Sequence, residues 1–247
     1  RGWNDIHTLL MECFKSRKVL AVELYAGVRE DEVINELKSL SPTLLINTRD
    51  LMKPENEIKE MTERFMTKDV LFGYVTNLSL KDYFDAGKLE VARKQVAAND
   101  RVIVVGSGAA MIAQAEATLV YVDMARWEIQ QRFRAHEVKA LGVDNREDAV
   151  SLQYKRGYFN DWRVLDKYKE GLFDKADFWL DTHIANDPRM IDRETFFKGI
   201  EETIKTPFRV VPFFDPAPWG GQWMKEVCDL DRKRVNFGWC FDCVPEE

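Results

Sequence analysis

At 247 residues, 45% of them hydrophobic and 32% charged, the chain carries apolar material for one large core with a smaller piece attached, which excludes a disordered polypeptide. Its net charge of −6 argues against a nucleic-acid or membrane-surface binder, and no apolar run nears the ~20 residues that cross a bilayer. Four cysteines are too few for a disulfide scaffold, so a reducing, cytoplasmic setting is expected.

In chain order, Asp5 to Ser16 is apolar at helical spacing, and Lys18 to Leu24 (KVLAVEL) reads as a buried strand. Asp31 to Leu40 is helical, Thr43 to Asn47 (TLLIN) is a second strand, and Glu55 to Met66 is helical. Val70 to Thr76 is short, apolar and ambiguous. Gly87 to Ala98 is helical, Arg101 to Val105 (RVIVV) and Thr118 to Asp123 (TLVYVD) are strands, and Trp127 to Val138 and Tyr158 to Phe173 are helices. Asp177 to Asp181 is a last strand, and Asp192 to Lys205 a helix with Asp192 as N-cap. Short β-branched runs without polar alternation, interleaved with helices, predict a doubly wound, mostly parallel α/β sheet in three layers. The composition turns rich in Pro, Gly and aromatics after Lys205, so residues 1–205 form one domain and 206–247 a second region.

An open parallel sheet takes its ligands where strand ends meet helix N-termini, so Tyr25 to Glu32, after the first strand, is the first place to look. Several later pieces keep a set order. Thr48-Arg49-Asp50-Leu51-Met52-Lys53-Pro54 follows the second strand, Tyr83-Phe84-Asp85 precedes a helix, and Gly106-Ser107-Gly108-Ala109 ends the third strand. Tyr121-Val122-Asp123 then leads to a helix with Arg132 and Arg134, and Asp174-Lys175-Ala176-Asp177 to a closing strand. Over residues 17 to 182 this order resembles the uridine kinase and phosphoribulokinase group of P-loop kinases. The resemblance implies a P-loop NTPase-like fold, an acid at Asp50 for substrate or Mg²⁺, and phosphate contacts from Gly27, Gly106, Ser107, Gly108, Arg132 and Arg134.

One departure outweighs the match. A working loop reads G-x-x-x-x-G-K-[ST], whereas here Asp31 stands in the place of Lys and Glu32 in that of Ser/Thr. Glu30, Asp31 and Glu32 answer the helix dipole themselves. They also repel a triphosphate, by about 4 kcal/mol per like pair at ~4 Å and an effective dielectric near 20. Mg·ATP bound in the usual way is therefore not expected. Gly106-Ser107-Gly108 with Asp123 is similar to a dinucleotide fingerprint, but Met111 holds the third glycine position and the unit lies mid-chain, so the neutral reading is a sheet edge able to host an anion.

Near the end, Trp219-Gly220-Gly221 and the later stretch Trp239 to Glu246 resemble the opening of class I mannose-6-phosphate isomerases, which are cupins. That resemblance implies a zinc-dependent parent isomerase whose metal ligands lie beyond Glu247, and it makes this chain a piece of a fused protein. His7, His136 and His183 share no helical spacing, and Cys240-x-x-Cys243 has no second pair, so no metal site is assigned within the chain. The expected function is a non-catalytic binding or scaffold module serving a downstream cupin domain, with a phosphorylated small molecule as its ligand class. The alternatives are a nucleoside or sugar kinase with an unconventional site built from Asp50, the Gly106 loop and Arg132, and a structural module forming a homodimer. Neither nucleic acid nor membrane is among the expected partners.

Overall fold

A computed structural model describes residues 1–69, 72–113, 116–212, 226, 229 and 241–245, the strands 208–212 and 241–245 by backbone alone. Two compact units divide the chain, Arg1–Arg193 and Glu194–Glu247.

The first unit is a mixed α/β sheet of six strands: β1 (Val19–Leu24), β2 (Leu44–Asn47), β3 (Val102–Val105), β4 (Thr118–Asp123), β5 (Phe178–Asp181) and β6 (Arg189–Asp192), in the order β2-β3-β1-β4-β5-β6. All neighbours are parallel except β5 and β6, which pair antiparallel with Leu180 opposite Met190. β3 is buried at every position and β1 and β4 at nearly every one, as the unalternating Val, Ile and Leu runs require of strands covered on both faces. The helices are α1 (Trp3–Cys13), α2 (Glu30–Lys38), α3 (Glu55–Met66), α4 (Ala86–Ala98), α5 (Ala109–Ala113), α6 (Arg126–Arg134), α7 (Val150–Arg156) and α8 (Trp162–Glu170). No helix among the described residues is long and apolar enough to cross a membrane.

Several boundaries differ from the sequence-based expectation. The helix expected through Val138 stops at Arg134, because His136 turns to φ 55 and the Glu137 amide caps the Arg132 carbonyl. The helix expected from Tyr158 begins instead as α7 at Val150 and passes through a π-helical turn, Gly157–Asp161, before α8. Asp192, expected as an N-cap, ends β6 and immediately precedes the helix that starts at Arg193. Of the ambiguous Val70 to Thr76 segment, residues 72–76 are irregular, and 70 and 71 lie outside the described residues.

The second unit contains α9 (Arg193–Thr203, which starts on the last residue of the first unit) and an antiparallel pair, β7 (Phe208–Pro212) and β8 (Phe241–Pro245), in which Val210 faces Cys243. The Trp219-Gly220-Gly221 string, Trp223 and Trp239 lie outside the described residues.

Candidate functional site at the carboxyl edge of the sheet

The connection leaving β1 runs to β2 on one side, and the connection leaving β3 crosses β1 to reach β4 on the other. The carboxyl ends of β1 and β3 therefore flank the crevice where an open parallel sheet takes ligand. Gly27 lies in the β1 turn, and Gly106, Ser107 and Gly108 follow β3, so the topology gathers four of the sequence-predicted residues at this crevice.

The β1 turn is short and closed on itself. Val28 N–H donates to the Tyr25 carbonyl, and Gly27 takes φ +81. A Cβ at Gly27 would sit 2.7 Å from Ile129 Cγ1 on α6, so only glycine allows that helix to lie against the turn. Arg132, also on α6, fixes the arrangement. Its side chain is 1% exposed, with Nη1 donating to the Gly27 carbonyl at 2.7 Å and Nε to Glu128 at 2.8 Å. Its Nη2 donates to the carbonyls of Thr182 (2.9 Å) and His183 (3.1 Å) beyond β5. Burial pulls this guanidinium below its ordinary value, and Glu128 opposes that. Arg132 thus makes four hydrogen bonds to protein acceptors. Arg134, on the same helix, is half-buried, over the Trp127 ring and bonded to Gln131 Oε1 at 3.2 Å.

Where α2 begins, Glu30 accepts a bidentate pair of bonds from Arg49, Nε at 2.9 Å and Nη2 at 2.7 Å. Arg49 belongs to a 3₁₀ turn, Thr48–Leu51, which also holds Asp50. Asp50 is exposed, and its backbone carbonyl, not its carboxylate, accepts from Lys88 at 3.0 Å.

The β3 turn holds a carboxyl group that the sequence reading passed over. Glu23, on β1, is 1% exposed and accepts from the amides of Gly108 and of Ala110, the latter at 3.0 Å; Tyr168 adds a side-chain hydrogen bond. Burial pushes its pKa up to about 8 against the pull of the backbone amides. Ser107 Oγ donates to the Leu24 carbonyl at 2.7 Å. The amides expected to host an anion therefore hold the protein's own acid. One signal was available in the sequence: a lone carboxylate in an otherwise apolar strand, VLAVEL, needs a partner when both faces are covered.

What remains of the crevice is a cavity of about 30 Å³ touching Gly27, Glu30, Thr48, Gly106, Ser107 and Asp161, room for about one water. Asp161, from the π-helical turn, is buried, and burial pushes its carboxyl up while Arg156 pulls it down. Its Oδ2 accepts from Leu141 N–H at 3.1 Å. Its Oδ1, like Thr48 Oγ1, has no partner among the described residues. Nothing local in the sequence marks Asp161, which reaches the crevice only through the packing of α7 and α8.

Asp123, the acid of the rival dinucleotide reading, is held by Lys169 at 2.5 Å and by the Met124 amide at 3.0 Å. The histidines are dispersed: His7 meets Glu36, His136 the Arg146 carbonyl, and His183 Asp181. Among the described residues, no three His, Cys, Asp or Glu side chains are grouped to hold a metal ion.

Comparison with known families finds one match, to a family described as a domain of unknown function (DUF8485), over residues 2–205. No curated protein and no solved structure matches the chain.

Proposed function

The chain belongs to the DUF8485 family, and from that premise we propose that residues 1–205 are a non-catalytic binding and scaffold module on a nucleoside-kinase-type P-loop layout, the N-terminal region of a mannose-6-phosphate-isomerase-related protein. One observation carries the non-catalytic part: protein groups already bond both turns that the kinase resemblance would aim at phosphate. Arg132 takes the Gly27 carbonyl, and Glu23 takes the amides of Gly108 and Ala110. A P-loop works by turning amide donors and a lysine toward phosphate. Here the β1 turn meets a buried cation with a carbonyl, and Glu30 stands at the start of α2, tied to Arg49. These residues do not fit Mg·ATP gripped in the usual way, and no phosphoryl-transfer step is derived through it.

The P-loop layout is supported by the ordered motifs over residues 17 to 182 and by a parallel sheet that collects their turns at one edge. The isomerase relation rests on Trp219-Gly220-Gly221 and the stretch Trp239 to Glu246.

Calorimetry of the whole chain with Mg·ATP, with a γ-phosphate transfer assay over nucleosides and sugars, tests the reading. No saturable heat at millimolar nucleotide and no transfer is the expected result. Saturable binding with turnover would establish instead the kinase alternative built on Asp50. Extending the chain downstream and assaying mannose-6-phosphate to fructose-6-phosphate conversion tests the parent: metal-dependent conversion is expected, and its absence would remove the isomerase relation.

A further inference from the structure

A second cavity lies on the other side of the Arg156–Asp161 pair. It is an open groove of about 510 Å³ between α3 and the segment that runs from Val143 into α7, within the size range of small-molecule sites. Its reading does not depend on the function proposed above, because it shares no lining residue with the sheet-edge cavity.

Arg156 lines this groove and is 7% exposed. Its Nη1 donates to Thr62 Oγ1 at 3.1 Å, and its Nε stands 3.5 Å from Asp161 Oδ2. Its Nη2 has no hydrogen-bond partner among the described residues. A buried guanidinium with an unused donor is costly unless something accepts from it, and a carboxylate or phosphate oxygen is the strongest acceptor.

The rim decides between those two. Glu60, Glu63 and Asp148 line it and are exposed, against a single rim cation among the described residues, Lys59, which is already paired with Glu55 at 2.6 Å. An acidic rim repels a multiply charged phosphate and attracts an ammonium. Met66, Val143 and Leu152 supply apolar wall between rim and floor. We propose that this groove binds a zwitterionic carboxylate of the amino-acid class, with its carboxylate on Arg156, its ammonium among the rim acids and an apolar side chain on Leu152 and Met66.

The whole 247-residue chain would be titrated with L-leucine, L-leucinamide, 4-methylpentanoate and inorganic phosphate, by calorimetry and by methyl NMR. L-Leucine should bind saturably and shift the methyls of Met66 and Leu152 but not of Leu165, which lines the sheet-edge cavity. Leucinamide, lacking the carboxylate, and 4-methylpentanoate, lacking the ammonium, should each bind about tenfold more weakly or worse. Arg156→Lys should abolish leucine binding. Glu63→Gln, on an exposed helix face and without risk to folding, should weaken leucine several-fold and leave 4-methylpentanoate unchanged. No saturable leucine binding at tens of millimolar would overturn the proposal. So would equal binding of leucinamide, phosphate binding in leucine's place, or methyl shifts confined to Leu165.

Discussion

Arg132 donates to the carbonyl of Gly27 at 2.7 Å, across 105 residues of sequence, and by that bond α6 is latched to the turn after the first strand. The same guanidinium reaches Thr182 and His183, so one buried side chain ties three separate segments at the carboxyl edge of the sheet. Lysine at this position keeps the charge but cannot present a planar fork to Glu128 and three carbonyls at once. Arg132→Lys should therefore cost about 2–4 kcal/mol in urea unfolding, because buried carbonyls lose their donors. A loss under about 0.5 kcal/mol would show that the latch is incidental.

Glu23 predicts a pH dependence with a definite sign. Its carboxyl is raised from 4.5 to about 8 in the fold, so the folded state holds the proton more tightly than the unfolded chain does. Its contribution is fully present below pH ~4.5 and is lost as pH rises toward ~8, because only the unfolded chain ionises freely across that window. The ceiling, at about 1.4 kcal/mol per unit, is roughly 5 kcal/mol. Urea midpoints of the wild type and Glu23→Gln at pH 5, 6.5 and 8.5 isolate the effect. The wild type should lose its advantage over the variant as pH rises, and a constant difference would mean that Glu23 is ionised throughout.

The sheet was legible from residue order because its central strands are buried on both faces and carry an unbroken apolar signal. β6 was not: Arg189–Asp192 is largely exposed and becomes a strand only by pairing with β5. The five-residue α5 is too short to show a helical period. The end of α6 carries no glycine, since His136 takes the left-handed turn. At the site, the glycines of the β1 and β3 turns were readable from chain order, whereas the contacts that fill those turns were not. Arg132 looks like a surface arginine in sequence, and only the return of the chain after β5 buries it. Asp161 and Arg156 meet through a π-helical turn that no periodicity announces.

Gly106 should tolerate no side chain. Its φ is +124, and a Cβ would fall 2.1 Å from Thr48 Oγ1 and 3.2 Å from Thr48 Cβ. Thr48 is itself fully buried, so the clash is not relieved by a side chain swinging outward. Gly106→Ala should cost more than about 2 kcal/mol, from strain and overlap together. Pairing it with Thr48→Ala removes the nearest atom but not the backbone strain, so a double-mutant cycle should recover part of the loss. Strict additivity would mean that the overlap is absorbed elsewhere.

The Glu30–Arg49 pair should be worth more than an ordinary surface ion pair but well short of a buried one. Its geometry is bidentate, at 2.9 and 2.7 Å, and both side chains are about a quarter exposed, 29% and 24%. Exposed pairs contribute about 0.2–1 kcal/mol, and fork geometry moves this one to the top of that range. A cycle of Glu30→Gln and Arg49→Gln should give a coupling of about 1 kcal/mol at low salt. That coupling should shrink only modestly at 0.5 M salt, because water reaches the pair from one side and ions screen it incompletely. Removing Arg49 also frees Glu30 at the start of α2, where the helix dipole still favours its charge, so Arg49→Gln alone should cost less than Arg132→Lys. If the order of those two losses is reversed, the strand-end turns are held chiefly from the β2 side and not by α6.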